Sequence, residues 1–241
     1  MSSIALVRSQ VESRLPGALS PYVRPELEML ATGIEAVDRE TGGIPKGALT
    51  QICARGEASS GKTTLLLSAM AAITAREEFC ALVDASDSFD PTSAVSAGVH
   101  SARVLWVRCE RRAGMRPLEQ AFKAADIIVQ NGGFGLIAVD LGSIEERAVR
   151  KVPLSTWFRF ARVVEKMPTA LVFLLCHPAA QSCAGLTLYL SGSKACWQGP
   201  EKIPHAHFLS AMECQVEVGR ARMRKPVRSA CGRFAATSVW A

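Results

Sequence analysis

The sequence predicts an α/β fold in which a mainly parallel β-sheet is flanked by helices. Short apolar runs bounded by glycines or polar residues alternate with longer segments of helical periodicity, which is the pattern of repeated βαβ units. The 241 residues are 49% apolar and 21% charged, so one sizeable core can be built. Beyond residue 185, apolar and polar residues alternate, which predicts antiparallel strands added at the C-terminal side of the sheet.

The predicted elements divide the chain into three parts. Residues 4–15 place apolar side chains on one face of a helix, and the prolines within residues 16–31 break regular structure. Strands are predicted over 48–53, 80–84, 104–107, 136–140 and 170–176, and helices over 62–76, 91–97, 117–130 and 154–166. We therefore expect an N-terminal helix with a linker (1–31), a core (32–220) and a basic C-terminal tail (221–241).

Composition excludes several classes of protein. The eight cysteines include no CxxC pair, so reduced thiols within the core are a better interpretation than a zinc or disulfide framework. The N-terminus has no apolar region typical of a secretory signal, and the apolar run 170–176 is too short to cross a bilayer. We expect a cytoplasmic protein that does not engage a membrane.

The excess positive charge lies in the C-terminal tail. From Gly219 onward there are six basic residues and no acidic ones, so the tail carries the whole net charge of +6. Such a segment suits a polyanion or an acidic protein surface, and it equally suits a solvated chain end. Both interpretations stay open.

The strongest functional signal is the GxxxxGK[ST] pattern of residues 56–63, which follows a predicted strand and opens a predicted helix. Glycines in such a loop let backbone N–H groups surround a phosphate, and the helix N-terminus adds a partial positive charge. The alternative is a Gly-rich turn that merely joins strand to helix. The residues predicted to bind nucleotide here are Gly56, Glu57, Ala58, Ser59, Ser60, Gly61, Lys62, Thr63 and Thr64.

A carboxylate at the end of a second strand supports this interpretation. The apolar run 136–140 ends in Asp140, a typical position for the aspartate that orients Mg²⁺, and the Thr63 hydroxyl is the other predicted metal ligand. The run 80–84 also ends in an aspartate, and further polar residues follow it at the same edge of the sheet, where open α/β sheets bind ligands.

Several of these segments together resemble a known family. The motifs TGI (32–34), GGIPKG (42–47), GEASSGKTT (56–64), ALVDA (81–85) and FDP (89–91) resemble the core of RecA-type recombinases, and the resemblance covers residues 32–140 well and 154–220 loosely. The segment from Pro153 to Glu165 is similar to ImuA, the RecA-like mutasome accessory protein. The resemblance implies a RecA-like P-loop NTPase core, ATP and Mg²⁺ as ligands, and a context of DNA repair.

The resemblance also exposes departures from the family. Asp90 falls where recombinases contact the adenine amino group, but the adenine-stacking aromatic residue is replaced by Ser93. The position of the family's catalytic glutamate is occupied by Ser86, whose hydroxyl is a poor base. The adjacent Asp87 could substitute for the glutamate only if the loop shifts by one residue. The position of the family's glutamine that senses the γ-phosphate is occupied by His177. Binding is therefore expected to survive, whereas hydrolysis is expected to be weak or absent.

Three arginines are candidates for contact with DNA or a partner. Arg220, Arg222 and Arg224 alternate along a predicted strand and would form a track for phosphates, although the same alternation fits an amphipathic edge strand.

The resemblance implies that the chain is an ATP-binding scaffold in DNA repair or damage-induced mutagenesis (the SOS response and translesion synthesis). By resemblance, its partners are the inactive Y-family polymerase homologue, the error-prone polymerase and the recombinase, with single-stranded DNA and self-association as further candidates. The alternatives are a compact DNA-dependent ATPase similar to recombinases and a protein-interaction factor such as a cell-division inhibitor.

Overall fold

A mixed β-sheet organises the part of the chain that the computed structural model describes, namely residues 3–15, 19, 27–56, 59–110, 115–199, 207–221 and 231–237. Within these residues eight strands form the main sheet, in the order β10-β9-β8-β3-β7-β6-β4-β5, and β1 and β2 form a separate pair. The strands are β1 (Met29–Leu30), β2 (Ile44–Pro45), β3 (Ala48–Ala54), β4 (Cys80–Asp84), β5 (Val104–Arg108), β6 (Leu136–Asp140), β7 (Ala170–Leu175), β8 (Leu186–Gln198), β9 (Phe208–Ala221) and β10 (Cys231–Thr237).

The central strands are parallel and buried on both faces. β4, β6 and β7 are almost continuously apolar, as strands covered by helices on both sides must be, and β3 is buried from Leu49 to Cys53 although it includes Thr50 and Gln51. Their register aligns the strand ends, because Asp84 lies opposite Asp140 and Cys53 lies opposite Leu175. The loops that follow these strands therefore emerge together at one edge of the sheet.

Helices cover both faces of the sheet. The helices are α1 (Ser3–Arg14), α2 (Glu35–Thr41), α3 (Lys62–Ala75), α4 (Pro91–Ser96), α5 (Pro117–Asn131), α6 (Glu146–Arg150) and α7 (Leu154–Val164). Buried residues of α2, α3 and α4 pack on one face of the sheet, and those of α5, α6 and α7 pack on the other. Trp157 of α7 meets Phe173 edge to face, with ring centroids 5.0 Å apart.

The C-terminal strands extend the sheet beyond its parallel part. β8 is parallel to β3, and its ladder with β3 runs from Leu186 to Leu190. The remainder of β8 continues past this ladder while paired with β9, and β9 pairs in turn with β10, both antiparallel. A long antiparallel ribbon thus borders the loop that joins β3 to α3.

The predicted α/β architecture, with antiparallel strands at the C-terminal side, is confirmed. The predicted strands and helices between residues 48 and 176 are all present, with ends that differ by at most two residues. The sequence did not predict the pair of β1 and β2, the short helices α2 and α6, or β10. The division after residues 31 and 220 stays a prediction; β1 precedes the first boundary, and β10 lies beyond the second.

Among the described residues, no helix combines the length and the apolar character needed to cross a membrane.

Removing the Trp157 side chain should destabilise the protein strongly. This side chain is fully buried among the aromatic rings beneath α7. We expect Trp157→Ala to lower the free energy of unfolding by about 3–5 kcal/mol, because it leaves a large cavity in the core. Urea unfolding measures the change.

The adjacent Phe158 provides a matched control, because it lies on the same helix and is 44% exposed. We expect Phe158→Ala to cost about 1 kcal/mol or less. Equal losses for the two variants would contradict the packing described for α7.

Candidate functional site

The loop between β3 and α3 has the backbone needed to surround an anion. Gly56 and Gly61 both have positive φ, 83° and 79°, which a side chain at either position would strain. Gly61 is also the N-cap of α3, and it has no side chain with which to cap the first N–H groups of this 14-residue helix. Those N–H groups therefore face the loop ready for an anionic ligand. Glu57 and Ala58 lie outside the described residues.

Lys62 and Asp140 both border a small gap at Gly142. The Lys62 ammonium donates a hydrogen bond to the carbonyl oxygen of Leu175, at 3.1 Å. A Cβ atom added to Gly142 would lie 3.2 Å from Lys62 Nζ and 3.0 Å from Asp140 Oδ1, so both charged groups border the same small gap. Only a glycine leaves that gap open.

Three groups hold the Asp140 carboxylate in place. The Gly142 amide donates to Oδ1 at 2.7 Å, the Ser86 hydroxyl donates to Oδ1 at 3.1 Å, and the Ser88 hydroxyl donates to Oδ2 at 3.1 Å. Oδ2 has only this one partner among the described residues, so it retains acceptor capacity for a metal ion or a metal-bound water. Thr63 is exposed in the first turn of α3.

Thr63 and Asp140 fit a magnesium ion that is coordinated mainly by phosphate oxygens and waters. No cluster of three or more His, Cys, Asp or Glu side chains arranged for a metal occurs in the described ranges. Mg²⁺ in phosphate sites typically keeps several waters and takes one or two protein oxygens besides the phosphates. Thr63 and Asp140 can supply such oxygens.

Ser86 links two loops at the sheet edge. Besides donating to Asp140, its hydroxyl accepts a hydrogen bond of 2.9 Å from the Ser143 amide, and the Ser143 hydroxyl donates to the Ser86 carbonyl at 3.3 Å. The loop after β4 is thereby tied to the loop after β6. The position that the family resemblance assigns to the catalytic glutamate is thus occupied by a hydroxyl that is already engaged.

Asp87 is paired with an arginine and not with this cluster. Its carboxylate accepts two hydrogen bonds from the Arg108 guanidinium, at 2.5 and 2.9 Å. The hydrogen bond from Arg108, reinforced by its positive charge, holds the pKa of Asp87 below the ordinary value. Asp87 also has a positive φ of 51°, so its backbone is in the left-handed region.

Comparison with known proteins identifies the family of this fold. A model of the RecA N-terminal domain matches residues 18–146, which is more than half of the chain. The chain belongs to the RecA family. Protein RecA of Kineococcus radiotolerans is 32% identical over 124 residues, which cover 51% of this chain and 33% of that protein. The chain therefore aligns with about a third of the length of this RecA relative.

Asp90 serves locally as a helix cap in this RecA-family core. Its carboxylate accepts hydrogen bonds from the Ser93 hydroxyl and from the amides of Thr92 and Ser93 at the start of α4. These hydrogen bonds, that of the Ser93 hydroxyl foremost, lower the pKa of Asp90. The adenine contact that the resemblance assigns to Asp90 stays a prediction.

His177 follows β7 beside the Lys62 anchor. Its ring lies 3.4 Å from the Glu146 carboxylate, measured from Nδ1 to Oε2, and the side chain is 57% exposed. Leu141 and Val149 line the hollow beneath it. His177 thus stands near the phosphate end of the sheet, and its role as a γ-phosphate sensor stays a prediction.

Of the three candidate arginines, the structure describes Arg220 alone. Its guanidinium is exposed and donates to the Gln181 carbonyl at 3.3 Å, at the edge of an open groove that Tyr189 also lines. Arg222 and Arg224 lie outside the described residues, so the predicted phosphate track stays a prediction.

Sequence reasoning missed Ser88, Gly142 and Ser143, which complete the network around Asp140. The hydrogen bonds of Ser88 and Ser143 join residues more than fifty positions apart, so no local motif marks them, whereas the Gly142 amide bonds to Asp140 from two positions away. Cys53 and Cys80 are free thiols in buried strands, and burial raises the pKa of Cys53, near the end of β3, to about 12.

The pairing of Asp87 with Arg108 can be tested by titration. We expect the pKa of Asp87, followed by carboxyl carbon NMR, to lie below its ordinary value of 3.8, and to rise toward 3.8 in Arg108→Ala. Arg108 favours the ionised carboxylate, so its removal must shift the titration upward.

The variant Arg103→Ala, which changes the arginine directly before the same strand, should leave this pKa unchanged. A wild-type pKa at or above 3.8 would instead describe a free carboxylate, available as the water-activating base.

Proposed function

We propose that this RecA-family protein binds ATP·Mg²⁺ and hydrolyses it weakly or not at all. It acts in the cytoplasm as an accessory protein of DNA repair or damage-induced mutagenesis. The observation that carries the proposal is the hydroxyl of Ser86, bonded to Asp140 and Ser143, at the position that the family gives to a catalytic glutamate.

Nucleotide binding is supported by the loop and by the charges around it. The N-terminus of α3 has no side-chain cap from Gly61, and Lys62 is held within reach of the loop by the Leu175 carbonyl. A triphosphate would draw the Lys62 ammonium from that carbonyl to its β- and γ-oxygens, exchanging a neutral acceptor for a charged one. The bound Mg²⁺ would neutralise phosphate charge, with Thr63 and Asp140 orienting it or its waters.

Weak hydrolysis follows from the groups around the position of the attacking water. The Ser86 hydroxyl brings no negative charge, and it is already committed to two hydrogen bonds. Asp87 is bonded to Arg108. Loss of a general base or a water-orienting group commonly lowers a rate by about 10²–10⁴-fold.

The assignment to the mutasome rests on family membership and on the ImuA-like segment. That segment coincides with α7, which begins directly after Pro153, and Phe158 is among its exposed side chains. The proposed partners are the inactive Y-family polymerase homologue, the error-prone polymerase and the recombinase. Single-stranded DNA and a second copy of the chain are further proposed contacts.

A second candidate function is a compact DNA-dependent ATPase. The observation that favours it is the retained pair of Lys62 and Asp140 beside the loop. The two candidates differ in turnover and in its response to single-stranded DNA.

Ligand binding should raise the melting temperature of the wild-type protein. At an ATP·Mg²⁺ concentration about 100-fold above Kd, we expect a stabilisation of about 2.7 kcal/mol and therefore a shift of several degrees. Lys62→Ala should abolish the shift, because it removes the charge that meets the β- and γ-phosphates. Lys123→Ala, which changes an exposed lysine of α5, should retain it.

A turnover assay on the same preparation separates the two candidates. We expect slow phosphate release that single-stranded DNA does not stimulate. Rapid turnover that depends on DNA and is lost in Lys62→Ala would favour the ATPase. The absence of any shift in melting temperature would contradict nucleotide binding itself.

A further inference from the structure

The antiparallel ribbon of β8, β9 and β10 borders the phosphate loop along its whole described length. At the entrance, the Arg55 amide donates a hydrogen bond of 2.7 Å to the Leu190 carbonyl of β8. In the middle, a Cβ on Gly192 would lie 2.4 Å from the Ser59 carbonyl oxygen, so β8 and the loop are in close contact. At the exit, a Cβ on Gly61 would lie 3.0 Å from the ring of Phe234 in β10.

The Arg55 side chain makes the strongest of these connections. Its guanidinium donates two hydrogen bonds to the Glu217 carboxylate of β9, at 2.5 and 3.3 Å. It also lies 4.2 Å from the ring centroid of Tyr189, in cation–π contact. One residue, directly before Gly56, thus joins the loop to β8 and β9.

We infer that Arg55 is a positioning residue of the nucleotide site, which holds the start of the phosphate loop against β8 and β9. The inference rests on the proposed ATP binding. Because its guanidinium is bound to Glu217 and Tyr189, Arg55 acts through the loop backbone and not through a contact with phosphate. The GxxxxGK[ST] pattern begins one residue later and does not include it.

The physical reason lies in the entropy of the loop. Glycines lose more conformational freedom than other residues when they are ordered, and Gly56 starts the loop with a positive φ. An anchor immediately before Gly56 reduces the ordering that nucleotide binding must supply, and so raises affinity through preorganisation. The ion pair is half exposed, with 51% and 40% of the two side chains accessible, so its contribution is modest.

Affinity for ATP·Mg²⁺ should respond to this ion pair. We expect Arg55→Ala to weaken ATP binding about fivefold, the factor that corresponds to about 1 kcal/mol for a favourable half-exposed pair. Glu217→Gln should have a similar effect, and the double variant should lose little more than either single one. The charge-reversed variant, Arg55→Glu with Glu217→Arg, should recover most of the affinity.

A matched control is the pair of Arg39 and Glu35, which is also an exposed ion pair but lies on α2. Arg39→Ala should leave the affinity unchanged. The ³¹P resonance of the bound β-phosphate gives a second readout, which we expect to shift in Arg55→Ala and to stay in place in Arg39→Ala.

The outcomes separate this inference from the proposed function. If the wild type binds ATP and Arg55→Ala binds it equally well with an unchanged ³¹P spectrum, Arg55 is only a structural residue and the inference is wrong. If affinity falls but charge reversal restores none of it, the ion pair is not the cause, and the inference is equally wrong. If the wild type does not bind ATP, the proposed function fails, and the inference fails with it.

Discussion

Parallel pairing of β3 with β7, and of β6 with β4, is the constraint on which the site depends. The register places the ends of these strands side by side, so the loops that follow them share one edge of the sheet. Lys62 reaches the end of β7 because the loop after β3 turns directly into α3. The pairing of β6 with β4 places Asp140, at the end of β6, beside the serines that follow β4. Asp140 also borders the gap at Gly142. Without this register, the GxxxxGK[ST] motif would be a glycine-rich turn that lies apart from Asp140 and from the loops after β4 and β6.

The network around Asp140 separates two capacities that a nucleotide-hydrolysing core normally combines. Holding a triphosphate needs N–H groups, a lysine and a metal, whereas cleaving it also needs a group that orients or deprotonates water. Here the hydroxyls of Ser86 and Ser88 hold the Asp140 carboxylate, and the Ser86–Ser143 contacts join the two loops. Such an arrangement favours a protein whose nucleotide acts as a structural ligand, which suits the proposed role as a scaffold.

The sequence predicted those parts of the molecule that local patterns encode. Apolar runs gave the central strands, and the glycines with Lys62 marked the loop, because both depend on neighbouring residues. The contacts of Arg55 with Glu217 and of Ser86 with Ser143 could not be predicted, since they join residues far apart in the chain and depend on side-chain geometry. β10 escaped prediction because small residues such as Gly232 and Ala235 give it no apolar alternation; its position comes from pairing with β9.

The fate of bound nucleotide shows whether the protein holds ATP without hydrolysing it rapidly. The protein is incubated with Mg²⁺ and ATP labelled at the α-phosphate, freed rapidly of unbound nucleotide, and sampled within the first minute to identify what it still holds. We expect the protein to retain one nucleotide per chain and this nucleotide to be recovered mainly as ATP. Failure to retain nucleotide, or its conversion to ADP at an ordinary enzymatic rate of about 1 s⁻¹ or faster, would contradict the account.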